Sequence, residues 1–104
     1  MADPFDLVLT LSLPAALEEE VLDHLLSHPE WVSGFTVSAG EGHGLDASLQ
    51  TAMEKIRGRA RRRLVTLLIA DANLEPLLAS LRAAFRSPEM AFWVTPLIQF
   101  GRFA

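Results

Sequence analysis

Five arginines fall within a seven-residue stretch, and arginine is the side chain best suited to binding anions. If this stretch is extended, Arg59, Arg61 and Arg63 point to one face at intervals of about 6.6 Å. Arg57 can join that row and Arg62 lies opposite. The row could bind a phosphate or a carboxylate, or it could form ion pairs within one chain or between subunits. The acidic residues considered for such pairs are Glu18, Glu19, Glu20 and Glu54.

Two of the three histidines have a spacing typical of metal ligands. His24 and His28 are four residues apart in a predicted helix, so their imidazoles can reach one metal ion. Two ligands do not complete a site, and histidine near a helix C-terminus also suits the helix dipole. Both interpretations stay open from the sequence.

The glycine-rich segment around His43 is the better candidate for a ligand site. Gly40-Glu41-Gly42-His43-Gly44 holds three glycines in five residues, which is too flexible for regular structure without a partner. The imidazole of His43 could bind a metal ion or a phosphate, or be a polar residue at a loop tip. No particular metal ion or cofactor is indicated. The predicted ligand-binding residues are Gly42, His43, Gly44, Arg57, Arg59 and Arg61.

Catalytic motifs are missing from the sequence. It contains no Gly-x-Ser-x-Gly, no Gly-x-x-x-x-Gly-Lys, no His-Glu-x-x-His and no cysteine. The glutamates at 18–20 are more typical of a solvated first helical turn than of an acid and base pair. We therefore predict no catalytic residues and no enzymatic activity.

Composition narrows the class of protein. The 104 residues fit one domain, and 50% hydrophobic with 21% charged residues indicates a packed core. The net charge of −4 disfavours nucleic acid as a partner. The sequence has no apolar run of the roughly 20 residues that span a bilayer, and its N-terminus does not resemble a signal peptide. Without cysteines, we expect a soluble, cytoplasmic protein.

Residue periodicity predicts the elements that position these side chains. Alternating apolar residues predict strands over 7–13, 31–39, 58–70 and 90–95. Helical spacing predicts helices over 14–29 and 73–86, with a loop at about 40–58 that contains a short helix beginning near Asp46. In the first helix, Leu22 and Leu26 widen the buried stripe. In the second, Asn73 is the predicted N-cap and Pro76 lies in the first turn.

This order of elements predicts an α+β, ferredoxin-like βαββαβ domain. Its four-stranded antiparallel sheet has the first and third strands at the centre and both helices on one face, and Pro96 places the last strand at an edge. The uncovered face carries more apolar surface than a monomer normally exposes, which predicts oligomerisation. Its apolar residues are Val8, Leu64 or Val65, Leu68 and Trp93.

Several short motifs resemble PII signalling proteins. Gly34-Phe35-Thr36-Val37-Ser38, followed by the glycine-rich segment and an arginine-led strand, resembles the strand that precedes their long T-loop. The chain more closely resembles an uncharacterised PII-like family whose members tend to be encoded beside heavy-metal efflux pumps. The motifs of that resemblance are Gly34-Phe35-Thr36, Gly42-His43-Gly44, Arg57-Gly58-Arg59, Trp93-Val94 and Gly101-Arg102.

The resemblance implies a homotrimer whose open sheet faces line its centre, with the loop at about 40–57 projecting from the body. PII proteins hold ATP or ADP between subunits with the base of the T-loop and a glycine-rich turn after the second helix. Here that position reads Arg86-Ser87-Pro88-Glu89-Met90, so the phosphate-holding turn is absent. The tyrosine that PII proteins use for uridylylation is absent too.

Three functions compete at this point. The first is a PII-like trimeric regulator whose loop binds a small ligand or metal ion and then engages a protein partner. The second is a structural or interaction protein with no small ligand. The third is an enzyme of the dimeric ferredoxin-like type, which would need a polar cavity where the sequence predicts an apolar face.

Overall fold

The computed structural model of the chain describes residues 5–42 and 60–104. Within these ranges the strands form one antiparallel sheet of order β2-β3-β1-β4, so the first and third strands are central as predicted. The elements are β1 (Leu7–Pro14), a 3-10 turn (Ala15–Leu17), α1 (Glu18–Leu26), β2 (Thr36–Gly42), β3 (Ala60–Ile69), α2 (Asp71–Ala84) and β4 (Ala91–Pro96). This architecture confirms the α+β, ferredoxin-like βαββαβ fold.

One face of the sheet and both helices enclose the hydrophobic core. Alternation along β1 sends Leu9, Leu11 and Leu13 into this core, and the register pairs Leu9 with Leu67 of β3. Burial of each such side chain stabilises the fold by about 1.5–3 kcal/mol. The other buried core residues are Val21, Leu25 and Val32 around α1, Val65 and Ile69 of β3, and Leu77, Leu78 and Leu81 of α2.

The opposite face of the sheet, here called the open face, is of mixed polarity. Val65 lies on the helix-covered face, so the residue of β3 on the open face is Leu64. Register places Trp93 of β4 beside Thr10 of β1, with Thr66 on the other side of Thr10. The open face therefore carries the expected apolar residues with hydroxyl side chains between them. Its residues include Val8, Thr10, Ser12, Thr36, Ser38, Leu64, Thr66, Leu68 and Trp93.

The predicted α1 stripe is confirmed at Leu22, which packs partly buried against the core, and wrong at Leu26. Leu25 is fully buried, whereas its neighbour Leu26 is 68% exposed. A helix turns about 100° per residue, so Leu26 points past the sheet to solvent. Pro14 is the last residue of β1 and not part of a helical turn, because the 3-10 turn intervenes before α1.

The start of α2 also differs from its prediction. The helix begins at Asp71, after Ala70 in an extended conformation, so Asn73 is its third residue and not its N-cap. Pro76 lies inside the helix, beyond its first turn. The N–H of Asp71, the first residue of the helix, donates to Oδ1 of Asp6 at 2.7 Å. The cap therefore comes from a residue 65 positions away in the sequence.

Strand β2 is displaced along the chain from its predicted position. The backbone N–H groups of Trp31 and Val32 donate to the carbonyl of His28, so this part is a turn after α1 and not strand. β2 instead begins at Thr36 and pairs with β3 as far as Gly42, so its predicted end at Ala39 is wrong. β4 pairs only with β1, which confirms the edge position of Pro96. The predicted short helix near Asp46 lies outside the described residues.

Candidate functional site

The arginine row divides between the two faces of β3. Arg63 lies on the helix-covered side, and its Nε donates to Oε1 of Glu18 at 2.6 Å. Arg62 lies on the open face, where its guanidinium donates to Oγ of Ser12 at 3.0 Å and to the carbonyl of Glu89 at 2.7 Å. These contacts confirm the predicted opposition of Arg62 and Arg63. They also show that both side chains tie elements of the fold together, with Arg63 in one of the predicted ion pairs.

Two of the predicted ligand-binding residues, Gly42 and Arg61, lie where β2 ends and β3 begins. Gly42, the last residue of β2, pairs with Ala60, the first residue of β3, and Arg61 follows at the next position opposite Glu41. Arg61 is exposed. The remaining predicted residues, His43, Gly44, Arg57 and Arg59, lie outside the described ranges and stay predictions.

The position of the PII phosphate turn, residues 86–90, forms a turn of a different kind. The hydroxyl of Ser87 accepts from the N–H of Glu89 at 3.2 Å, and the carbonyl of Ser87 accepts from the N–H of Met90 at 3.2 Å. A serine side chain and its own backbone thus close the turn in place of glycines. Ser87 and Met90 of this turn also line a cleft.

That cleft, between α2 and β4, has a volume of about 170 Å³. Arg82 is the charged residue among those that line it, and its guanidinium lies 5.5 Å from the centre of the Phe92 ring. Such a cation–π contact holds the positive charge of Arg82 against the apolar residues that line the cleft. The other lining residues are Leu11, Leu78, Leu81, Phe85, Ser87, Met90 and Ala91.

A polar cluster lies between α1 and α2. Nε2 of His24 lies 2.8 Å from Oγ of Ser80, and Nε2 of His28 lies 3.5 Å from the same oxygen. On its other side, Nδ1 of His28 lies 3.1 Å from Oε2 of Glu30. The spacing of His24 and His28 indicated that the imidazoles could meet, but Ser80 and Glu30 gave no signal in the sequence.

The electrostatics of this cluster follow from partial burial and from neighbouring groups. Burial first, and the positive form of His28 second, lower the pKa of His24 from its usual value. The hydrogen bond from His28 is the main cause of a lowered pKa of Glu30. His24 is therefore neutral at neutral pH, while Glu30 is ionised.

Residues 5–104 match the family described as "Protein of unknown function (DUF3240)". The chain belongs to this family. Its fold is similar to that of a DUF3240 family protein from Shewanella baltica OS155, with a TM-score of 0.76 and 18% identity over 100% of both chains. A comparison with curated proteins gave no match.

The DUF3240 chain also shares its fold with PII-like proteins. CPII from Thiomonas intermedia K12, a nitrogen regulatory PII-like protein bound to ADP, AMP and bicarbonate, is 21% identical, with a TM-score of 0.70 over 93% of both chains. A PII-like signalling protein from Thermus thermophilus is 13% identical, with a TM-score of 0.63 over 88% of this chain and 86% of that one. The resemblance to the PII-like superfamily is therefore confirmed at the level of fold.

Two kinds of site can be assessed for the described part of this DUF3240 protein. Within residues 5–42 and 60–104, no group of three or more histidine, cysteine, aspartate or glutamate side chains could hold a metal ion. In the same ranges, neither helix is long and apolar enough to cross a bilayer. Among the described residues, the side chains whose chemistry could bind a ligand include Arg61 at the end of the sheet and the histidines between the helices.

Proposed function

We propose that this DUF3240 protein is a PII-like regulatory protein and not an enzyme. In this proposal it is a cytoplasmic homotrimer that senses a small ligand or metal ion through the segment 40–58 and acts on a protein partner. The resemblance noted in the sequence suggests heavy-metal efflux as the setting. The observation that carries the proposal is the fold shared with CPII over 93% of both chains.

The open face supports the proposed trimer. Val8, Leu64 and Leu68 line its centre, and Trp93 is 47% exposed at its edge. A sheet face that leaves several apolar side chains uncovered by its own chain is a candidate interface. The hydroxyl residues between these side chains are short, so they let two sheets approach closely.

The ends of β2 and β3 support the proposed sensing role. Gly42 and Ala60 are paired, and the exposed Arg61 follows Ala60, so the described part of the chain presents a guanidinium where the segment 40–58 meets the sheet. A guanidinium at that place favours an anion or an anionic metal complex. The ligands of CPII, namely ADP, AMP and bicarbonate, are anions of this class. The serine-closed turn after α2 argues for a smaller anion than a nucleotide.

A thermal-shift screen of bicarbonate, phosphate, adenine nucleotides and divalent metal ions tests the sensing role. A ligand present at about 100 times its Kd stabilises the native state by about 2.7 kcal/mol. For a domain of this size that corresponds to a rise in Tm of more than about 10 °C. We expect at least one compound to raise Tm, and His43→Ala and Arg61→Ala to reduce that rise. The matched control is Arg102→Ala, which should retain it. Arg102 is an exposed arginine near the opposite end of β3, since it contacts Phe100 and Phe100 packs on Phe5 beside the strand end.

Light scattering after size exclusion tests the assembly separately. We expect the mass of a trimer. A monomer would overturn the assembly proposal, and an unchanged Tm with every compound would overturn the sensing proposal.

A second candidate is an interaction protein that binds its partner with no small ligand. Ile98 and Phe103, in the segment after β4, are almost fully exposed. Apolar side chains outside the core suit a docking segment. A trimer that responds to no compound, and loses its partner on Ile98→Asp with Phe103→Asp, would favour this candidate over the first.

A further inference from the structure

We propose that His24 and His28 form a binding site for a divalent transition-metal ion, on the helix layer and apart from the segment 40–58. The two imidazoles lie one helical turn apart, with ring centres 4.8 Å from each other. Their Nε2 atoms lie 2.8 Å and 3.5 Å from one oxygen, Oγ of Ser80. Two ring nitrogens thus converge on one point in space.

The convergence fits the dimensions of a metal site. A histidine nitrogen binds zinc or copper at about 2.0–2.1 Å. Both nitrogen atoms already lie within hydrogen-bond range of one atom, so small side-chain rotations bring them to one ion. The Ser80 hydroxyl marks that point and would rotate aside for the ion, so it is not itself a ligand.

The surroundings of His28 are those of a metal ligand. The carboxylate of Glu30 can only accept a hydrogen bond, so Nδ1 of His28 carries a proton, and in the neutral tautomer with that proton Nε2 has the free lone pair. A carboxylate on the far nitrogen of a ligating histidine orients the ring and makes it more basic. The ring of Trp31 stacks on that of His28 at 4.8 Å and 16°, which holds the imidazole in plane.

The surroundings of His24 keep it ready to bind. The Phe85 ring meets the His24 ring edge to face at 5.6 Å and limits its rotation. The net charge of −4 adds a general attraction for cations.

The number of ligands sets the kind of site. In the described ranges no third histidine, aspartate, glutamate or cysteine joins the pair, so water fills the remaining positions. Such a site binds more weakly than a four-ligand structural site. Nitrogen ligands with open positions favour Cu²⁺ over Ni²⁺ and Zn²⁺.

Two other interpretations of the cluster are less consistent with its geometry. A serine nucleophile would need donors placed for an oxyanion, whereas Ser80 faces two imidazoles and does not line the cleft beside β4. A purely structural link between α1 and α2 needs only the 2.8 Å contact of His24. Such a link does not explain why His28 is also held by Glu30 and Trp31.

Titration of the full chain with Cu²⁺ and Zn²⁺ tests the site. The titrated protein carries His43→Asn, which leaves His24 and His28 as its only histidines. Any metal bound by His43 in the segment 40–58 is thereby removed, so the titration reports on the proposed site and not on the sensing role. Trp93→Phe leaves Trp31 as the single tryptophan. Cu²⁺ bound at His28 should quench the fluorescence of Trp31, whose ring stacks on the imidazole. Calorimetry should give one ion per chain.

Three substitutions in that background decide the result. We expect His28→Asn to weaken Cu²⁺ binding at least tenfold. Glu30→Gln should weaken it about tenfold, because the neutral amide can accept the same hydrogen bond but lacks the charge that makes the ring more basic. Ser80→Ala should bind Cu²⁺ as tightly as its parent. Glu30 is exposed, so its variant folds even where His28→Asn does not. Absence of saturable binding, or binding that survives both His28→Asn and Glu30→Gln unchanged, would overturn the proposal.

Discussion

The guanidinium of Arg63 and the carboxylate of Glu18 meet at 2.6 Å, joining the central strand β3 to the first turn of α1. Both side chains are about one-third exposed, so water screens the pair only in part. Arg61, two residues earlier on the same strand, lies at the end of the sheet opposite Glu41. Neighbouring arginines of one strand therefore have different surroundings.

Substitution of Arg63 tests this difference. Arg63→Ala should lower the free energy of unfolding by about 1 kcal/mol, at the upper end for a partly exposed ion pair. Arg61→Ala should change it by less than about 0.5 kcal/mol, as for other surface substitutions. Urea denaturation of the two variants gives the comparison. Combination of Arg63→Ala with Glu18→Gln should cost less than the sum of the single changes, and strict additivity would mean that the two groups do not interact.

The adjacent leucines of α1 provide a second test. Leu25 is fully buried in the core and Leu26 is 68% exposed. Leu25→Ala should lower the free energy of unfolding by about 2–5 kcal/mol, because it leaves a cavity. Leu26→Ala should change it by less than about 0.5 kcal/mol. Chemical denaturation of the assembled protein gives both values. If the two variants lose similar free energies of unfolding, Leu26 lies in an interface.

These leucines also show how far the sequence could predict the fold. Alternation and helical spacing are local patterns, so they predicted the order of elements and the buried Leu9, Leu25 and Leu77. The edge of a buried stripe depends on how the helix is rotated over the sheet. No local pattern contains that angle, so Leu26 was assigned to the wrong side.

The parts of the fold that were predicted wrongly depend on contacts between residues that are distant in the sequence. Glycines predicted an early end to β2, but the partner strand extends it to Gly42. Asn73 is a good cap by type, yet Asp6 supplies the cap because β1 begins beside the start of α2. In the site, the spacing of His24 and His28 was visible, whereas Ser80 is 56 residues from His24 and could be placed there only by the fold.

Loss of the Asp6 cap should destabilise α2. Asp6 is held in place by its own backbone, whose N–H donates to Ile69 and whose carbonyl accepts from Leu97. Asp6→Ala should lower the free energy of unfolding by about 1 kcal/mol, as for other N-cap losses. Asp6→Asn keeps an oxygen acceptor and should lose less. Equal losses in urea denaturation would assign the effect to the charge and not to the hydrogen bond.

The proposed trimer should be sensitive to charge on the open face. Leu68 lies beside Val8 at the centre of that face, so Leu68→Glu should bury a carboxylate in the interface and give monomers by light scattering. Ala79→Glu, on the exposed side of α2, is the control and should stay trimeric. A trimer with Leu68→Glu would mean that another surface forms the interface.

The lowered pKa of His24 predicts a pH-dependent stability. The unfolded chain takes up a proton near the usual value of 6.5, whereas the folded chain does so only at lower pH. Between these two values the unfolded state holds more protons, so the contribution of His24 is complete above about pH 6.5 and is lost as the pH falls through the folded pKa. The lowered pKa of Glu30 acts in the same direction, but only below its usual value of 4.5.

Urea midpoints between pH 5 and pH 8 measure this dependence. We expect the midpoint of the parent protein to fall below pH 6.5, and His24→Asn to flatten that fall. His28→Asn should flatten it only in part, because it removes the second cause of the shift and leaves partial burial, the first. NMR titration of the His24 ring gives the pKa directly. An unchanged pH dependence in His24→Asn protein would assign the effect to another group.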